Sequence, residues 1–310
     1  GLLKRFRQSV LAAACSGHLT ADWREEHPDV EAAKVLLDRI QSARIEAAET
    51  TREKRQIEEA FSEAQFNVSE DEIAIGELPG SWLPCRVGAI GTVLNGSTPS
   101  RKHPEYWDGG IAWVSSGEVR NTIISETRER ITSLGYNSTS VRLLPSGTVL
   151  LAMIGEGKTR GQSAILRMEA TINQNIAAVT LSHGLIVPEF LWRWFQFQYE
   201  ATRMQGGGSG PQALNCQRVR ELPFVLPPLD EQREIVRRVE ALFALADKIE
   251  SRVQAATARV EKITQAILAK AFRGELVPTE AELARAENRP YEPATVLLAR
   301  IRAERTAEGT

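Results

Sequence analysis

The 310-residue chain has only three cysteines. Cys15, Cys85 and Cys216 are far apart, odd in number and without C-x-x-C spacing. They argue against both a disulfide framework and a zinc site, and a cytoplasmic, reducing setting fits best. Long apolar runs are missing too. No stretch approaches the roughly 20 residues needed to span a bilayer, and the N-terminus lacks the order of charge, apolar core and cleavage site of a signal peptide. No membrane association is expected. A large net charge is also absent: 38 basic residues face 40 acidic ones, so the chain is not basic all over. The four histidines, His18, His27, His103 and His183, are scattered, with no acid or nucleophile at triad spacing.

The charge that exists is unevenly placed. Residues 22–77 carry 16 acidic and 7 basic side chains, whereas residues 78–228 carry 14 basic and 10 acidic ones. A mildly positive middle permits nucleic-acid binding without demanding it.

The stretch TVLLAMIGEGKTRGQSA, residues 148–164, satisfies the looser spelling of a phosphate-binding loop, A-x-x-x-x-G-K-T. Such a loop needs a helix starting at about Lys158, so that backbone N–H groups point at the anion. Gly161 and the alternation of Ser163, Ile165 and Arg167 against Ala164, Leu166 and Met168 predict a hairpin instead. Nor does a later strand end in an aspartate suited to magnesium; NIAAVTLSHG closes on Ser182, His183 and Gly184.

The chain repeats its own end. QSVLAAACSGHL at 8–19 matches QAILAKAFRGEL at 265–276, and VLLDRI at 35–40 matches VLLARI at 296–301. The spacing differs by four residues, which a loop between helices absorbs. Gly17 and Gly274 stand where a left-handed helix stop belongs. Leading into the second copy, Ile235, Val239, Leu242, Ala246, Ile249, Val253, Ala256, Val260, Ile263 and Ile267 step by 4 and 3, the a/d seam of a coiled coil. A helix over 230–272 would be about 64 Å long at ~1.5 Å per residue and needs a partner. In the first copy, Leu3, Phe6 and Val10 take the places of Val260, Ile263 and Ile267, and the chain opens inside that helix, which suggests a piece of a longer two-part polypeptide. Residues 30–64 read as a solvated charged helix, with a coil partner as the sharper alternative.

From Trp82 the pattern changes to short apolar runs broken by Gly, Pro, Asn and Ser, which is strand-rich. One strong helix starts after Pro188, and the stripe of Phe190, Leu191, Trp194, Phe195 and Gln198 is expected to be core rather than a base-stacking surface.

Three stretches carry a family resemblance: LNGSTPSRKHPEYWDGGIAWVSSGEV, LLPSGTVLLAMIGEGKTRGQSAILRMEATINQNIAAV, and LPFVLPPLDEQREIVRRVEALFALAD. With the helical repeat, the chain resembles the DNA sequence-specificity subunit of type I restriction-modification enzymes over nearly its whole length. The resemblance implies a target recognition domain at 78–228, flanked by spacer helices. A complete subunit of that family has two such domains, each reading half of a split site, with antiparallel helices fixing their distance. This chain resembles one half. The resemblance also implies that ATP chemistry belongs to another subunit. The implied partners are double-stranded DNA, modification (methyltransferase) subunits and, through them, the restriction subunit, with a homodimer of this chain as a further candidate.

Catalytic alternatives find little support. Glu156 and Lys158 supply the E-x-K half of a nuclease site, but the nearest candidate for the other carboxylate, Asp108, lies in a Trp-Asp-Gly-Gly turn. Leu226-Pro-Pro-Leu229 lacks the end residues of a methyltransferase loop, and no Gly-rich loop for a methyl donor follows an early strand. Neither cofactor nor metal is expected. The sequence therefore predicts a non-catalytic DNA reader of mixed α+β class. Its recognition domain has a twisted, largely antiparallel sheet and is joined to long coiled-coil helices. The expected parts are a truncated first spacer (1–45), a charged helix and linker (46–77), the recognition domain (78–228), the long helix (229–275) and a tail repeating the start (276–310). Candidate DNA contacts lie in loops: Ser97, Thr98, Ser100, Arg101 and Lys102; Lys158, Thr159 and Arg160; and 205–215, with Gln212 and Asn215. Asn173, Gln174 and Asn175 form an amide cluster able to read adenine, or else to satisfy buried backbone groups. Ile235, Val239, Leu242, Ile249, Val253, Val260, Ile263 and Ile267 are the candidates for oligomerisation or subunit docking. A coiled-coil scaffold whose central domain binds another protein explains the heptads equally well.

Overall fold

The computed structural model describes residues 1–62, 68, 70–73, 75–155, 158–204 and 213–307. Among these residues ten strands form three sheets. They are β1 (Leu83–Arg86), β2 (Gly91–Asn95), β3 (Trp107–Val114), β4 (Thr122–Ile124), β5 (Glu129–Ile131), β6 (Val149–Ala152), β7 (Ser163–Leu166), β8 (Thr171–Ile172), β9 (Ile176–Leu181) and β10 (Pro223–Leu226). The largest sheet runs β2-β9-β6-β7-β4, a second runs β5-β3-β8, and β1 pairs with β10. Only β3–β8 and β4–β7 are parallel; the other pairs are antiparallel, as expected for the class.

The central strands read as continuous apolar runs because both of their faces are covered. Side chains alternate across a strand, and here the alternation sorts them into two cores. Val149, Leu151, Ile165, Ala177 and Val179 join the core around the helix Pro188–Phe197, with Phe190, Leu191, Trp194 and Phe195. Leu150, Ala152, Ala164, Leu166, Ile176 and Ala178 face the opposite core, with Val114 and Ile172 of the second sheet. Pro188 opens the helix at its first turn, where a missing N–H costs nothing, and the Trp194 indole donates to the Pro223 carbonyl at 2.9 Å. The aromatic stripe is core.

Within 30–64, the described residues 30–62 depart from a single solvated helix. Ala33–Ala47 buries Ala33, Leu36, Leu37 and Ile40, and the chain then breaks. Thr50 and Glu53 form a reciprocal capping box that starts the helix Thr51–Ala60.

The chain divides into two compact units, Gly1–Ala244 and Leu245–Thr310. Leu229–Phe272 is one helix of 44 residues. Its first half is packed in the unit 1–244, where Ile235 and Val239 are buried and Leu242 and Phe243 lie against the same core. In the second unit Ile249, Val253, Val260, Ile263 and Ile267 are exposed. Gly17 and Gly274 both have left-handed backbone, with φ of 81° and 72°, so each copy of the repeat ends its helix in the same way.

Candidate nucleic-acid interface

Strand register decides which loops share a neighbourhood. In the five-stranded sheet Asn95 lies opposite Ala177, Ile176 opposite Ala152, Leu151 opposite Ser163, and Ala164 beside Thr122. The segment after β2, the turn before β9, the β6–β7 hairpin turn and the segment before β4 therefore all emerge at one end of the sheet. Leu214 N donates to the Met153 carbonyl at 2.9 Å, which brings residues 213–215 to the same end. Four candidate segments spread over more than a hundred positions are thus gathered in one place.

The first of these loops is built around Arg101. Its guanidinium makes a two-pronged ion pair with Glu129, at 2.5 and 3.0 Å, and lies 3.6 Å from the centre of the Trp107 ring. Hydrogen bonding to Glu129 raises the Arg101 pKa and lowers that of Glu129. Such a stacked, bidentate arginine is fixed in place. Ser97 and Ser100 give their carbonyls to the indoles of Trp113 and Trp107. Lys102 is exposed, and Ser97 and Thr98 are half-buried.

The hairpin expected at 158–161 is present: a turn joins antiparallel β6 and β7, and no helix follows Lys158. Lys158 is exposed and Thr159 half-buried. Arg160 requires a correction. Its side chain is buried, and Nη2 donates to the Arg203 carbonyl at 3.0 Å, at the end of the helix Tyr199–Met204. Tyr199 Oη donates to the Lys158 carbonyl from the same helix. The arginine braces the turn from within.

The amide cluster splits. Asn173 is buried, and its Oδ1 accepts the Asn175 N–H at 3.0 Å. The Asn175 carbonyl accepts from Met153 N. These two hold the turn, while Gln174 is exposed. Asn215 caps the helix Cys216–Glu221 by accepting from Arg218 N at 2.8 Å, a structural use of a residue that sequence suggested for base reading. Gln212, with most of the 205–215 loop, lies outside the described residues, as does Glu156.

Two exposed residues at the same end were not among the sequence candidates. Arg120 and Asn121 precede β4, and Asn121, with φ of 53°, accepts Ser163 N through Oδ1. The Arg-Asn pair before an apolar run was the available signal. At the other end of the sheet, beside Gly91 and Leu181, lies a separate cavity of about 540 Å³ lined by Arg44, Glu53, Thr92, Arg142, His183 and Arg220. Arg44 is committed to the carbonyls of Gly88 and Ala89, and burial lowers its pKa to about 10. Among the described residues no three His, Cys, Asp or Glu side chains gather as metal ligands. Burial pushes the Cys15 and Cys85 thiols upward in pKa, so neither is poised as a nucleophile. No helix among the described residues is long and apolar enough to cross a membrane.

Chemically, the loop end offers amides, hydroxyls and cations. The model of the type I restriction modification DNA specificity domain matches residues 79–256. The chain belongs to that family. Over 99% of its length it is 32% identical to the specificity subunit of the type I restriction enzyme EcoBI of Escherichia coli, covering 58% of that protein. Over 105 residues, 33% of the chain and 22% of the relative, it is 50% identical to the StySPI specificity subunit of Salmonella potsdam. The chain thus spans a little over half the length of the EcoBI relative. A solved structure described as the basis of complex assembly and conformational transition of the type I R-M system shares the fold. Its TM-score is 0.54 and identity 21%, over 79% of this chain and 58% of that one.

Proposed function

We propose that this chain reads one half of a split DNA site as a specificity subunit of a type I restriction-modification system. In this role it docks the modification subunits and, through them, the restriction subunit, and carries out neither methyl transfer nor cleavage itself. The observation that carries this is the convergence of the polar loops at one end of the five-stranded sheet, in a chain whose relatives are named specificity subunits. Exposed Lys102, Arg120 and Lys158 supply charge for phosphates, which position a protein without choosing bases. Amides and hydroxyls on the same loops supply base contacts. Selection of binding sites from a random duplex pool, repeated at two salt concentrations, tests this. A preferred sequence whose affinity falls steeply with salt is expected. A scaffold that binds only protein would retain no DNA at either salt.

The repeat supports a partner as well. In the first copy Val10, Leu11, Cys15, Leu36, Leu37 and Ile40 are buried. Their counterparts in the second, Ile267, Leu268, Phe272, Leu297, Leu298 and Ile301, are exposed, and Phe272 is 90% exposed where Cys15 is 0%. Val35 and Val296 are exposed in both copies, so the difference falls on the face that packs. An apolar face repeated in sequence but left open favours a second recognition domain as its cover, supplied by another copy of this chain.

A further inference from the structure

Gln174 sits at the tip of a turn that backbone and side-chain bonds hold on several sides. Before it, Asn173 N donates to the Val114 carbonyl at 3.0 Å, and after it Met153 N donates to the Asn175 carbonyl at 2.9 Å. Across the turn, Asn173 Oδ1 accepts Asn175 N. The first loop lies directly on the strand that leads in. Ser97 N donates to the Ile172 carbonyl, and a Cβ on Gly96 would stand 1.8 Å from that same oxygen. Only glycine permits that approach. Of the three successive residues, then, Asn173 is buried with its side chain spent on the turn, Asn175 is half-buried and tied through its backbone, and Gln174 is the exposed one.

The presented amide is oriented. Thr98 Oγ1 donates to Gln174 Oε1 at 2.5 Å, which leaves Nε2 as a donor and one lone pair of Oε1 as an acceptor. Long exposed side chains ordinarily lose rotamer freedom on binding. Here the hydroxyl of a neighbouring loop removes part of that freedom beforehand. A donor and an acceptor side by side match the major-groove edge of adenine, whose N7 accepts and whose N6 donates. Guanine offers two acceptors there, and whichever way the amide is turned one of its two atoms is also an acceptor.

Resting on the DNA-reading function above, we propose that Gln174 is a specificity-determining residue that reads a single adenine through its major-groove edge, and that Thr98 is its positioning residue. Gln174→Ala is exposed and leaves the turn's own bonds intact, so the variant folds. The test is site selection from a random duplex pool with the full chain assembled with the modification subunits of its system, comparing the native protein, Gln174→Ala and Thr98→Val. In the native selection one position is adenine. Gln174→Ala loses the preference at that position alone, by roughly 5- to 150-fold, the range of one bidentate base contact. Thr98→Val weakens it at the same position by a smaller factor. Replacing that adenine by 7-deazaadenine penalises the native protein and leaves the Gln174→Ala protein unaffected. An unchanged preference in Gln174→Ala, a loss at a base other than adenine, or a loss spread over many positions overturns the assignment while leaving the DNA-reading function standing. A native complex that selects no sequence removes that function itself, and this assignment with it.

Discussion

The indole Nε1 of Trp82 donates to Oε2 of Glu231 at 2.8 Å, and both side chains are buried. The other carboxylate oxygen accepts from Thr20 Oγ1 at 2.7 Å and from Arg24 Nη2 at 2.8 Å. One carboxylate at the start of the long helix therefore binds the N-terminal helical segment and the entry to the strand-rich region together. Removing one partner of a buried pair leaves the others uncompensated, at about 3 to 5 kcal/mol. Because the Arg24 side chain keeps 23% exposure, the lower part of that range is expected for Glu231→Ala. Trp82→Phe should cost about 1.5 to 3 kcal/mol through one lost charge-assisted hydrogen bond. Urea midpoints check both. A loss below about 1 kcal/mol for Glu231→Ala would show that the segments are joined by apolar packing instead.

A second ionic tie carries a pH signature. Arg237 and Arg238 hydrogen-bond Glu234 and hold its pKa at about 2, well below its ordinary 4.5. Arg238 also reaches Asp22 at 2.6 Å and the Leu19 carbonyl at 2.8 Å. A carboxyl whose pKa is depressed on folding contributes its stabilisation in full above about pH 4.5 and loses it as pH falls toward 2. Arg237, the first of its two partners, is 67% exposed, so screening keeps the effect under about 1 kcal/mol. Melting temperatures of the native protein and Glu234→Gln should differ at pH 6 and converge near pH 2, with a smaller gap in high salt. A gap that persists at pH 2 would assign the difference to packing.

The β6–β7 hairpin separates two cations that are near neighbours in sequence. Lys158→Ala should weaken binding to all DNA sequences alike and reduce the salt slope by about 0.9, the value for one phosphate contact on B-DNA. Lys102→Ala should do the same. Arg160→Ala should instead lower stability by about 1 to 3 kcal/mol, through its bond to the end of the helix Tyr199–Met204, with no change in slope. Titrations at several salt concentrations, alongside melting curves, distinguish the two. A reduced slope with unchanged stability in the Arg160 variant would return that arginine to the surface.

Periodicity made the long helix, the aromatic core of Pro188–Phe197 and the hairpin at Lys158 legible, because each is set within a few residues of itself. The fate of Arg160 was not, since its burial depends on Tyr199–Met204, some 40 positions away. The same holds for Asn173 and Gln174. Three amides in a row look alike in sequence, and only the register of β9 against β6, together with the approach of Gly96, decides which one faces out. The break after Ala47 was written locally as Thr50 and Glu53, a capping-box signal that the surrounding helix formers obscured. Spacing named the seam residues, but the division into a packed half ending near Leu242 and an open half from Ile249 needed the fold.

The unmatched faces of the repeat give a test with an internal control. Ile267→Lys and Leu298→Lys place charge where the first copy buries Val10 and Leu37, and should convert a two-copy assembly into single chains by sedimentation while leaving the melting temperature of the strand-rich unit unchanged. Val296→Lys occupies a position exposed in both copies and should leave the assembly intact. If all three variants behave alike, the repeated face is not the contact surface.

Two copies joined through their long helices would be related by a two-fold axis, so the pair should prefer an inverted repeat with a fixed gap. The helix length then sets the gap. Deleting residues 249–255 removes one heptad and keeps the seam nearly in phase, because seven residues fall only about 20° short of two full turns. The helix shortens by about 10 Å at ~1.5 Å per residue, close to three base pairs at ~3.4 Å each. Neither half-site should change, because Gln174, Thr98 and Lys158 lie outside the deletion. Sites selected from a random pool by the native and shortened proteins report both quantities at once. The expected outcome is the same bases around a gap about three positions narrower. An identical gap would mean that the helix is not the ruler, and altered half-sites would mean that the recognition loops depend on it.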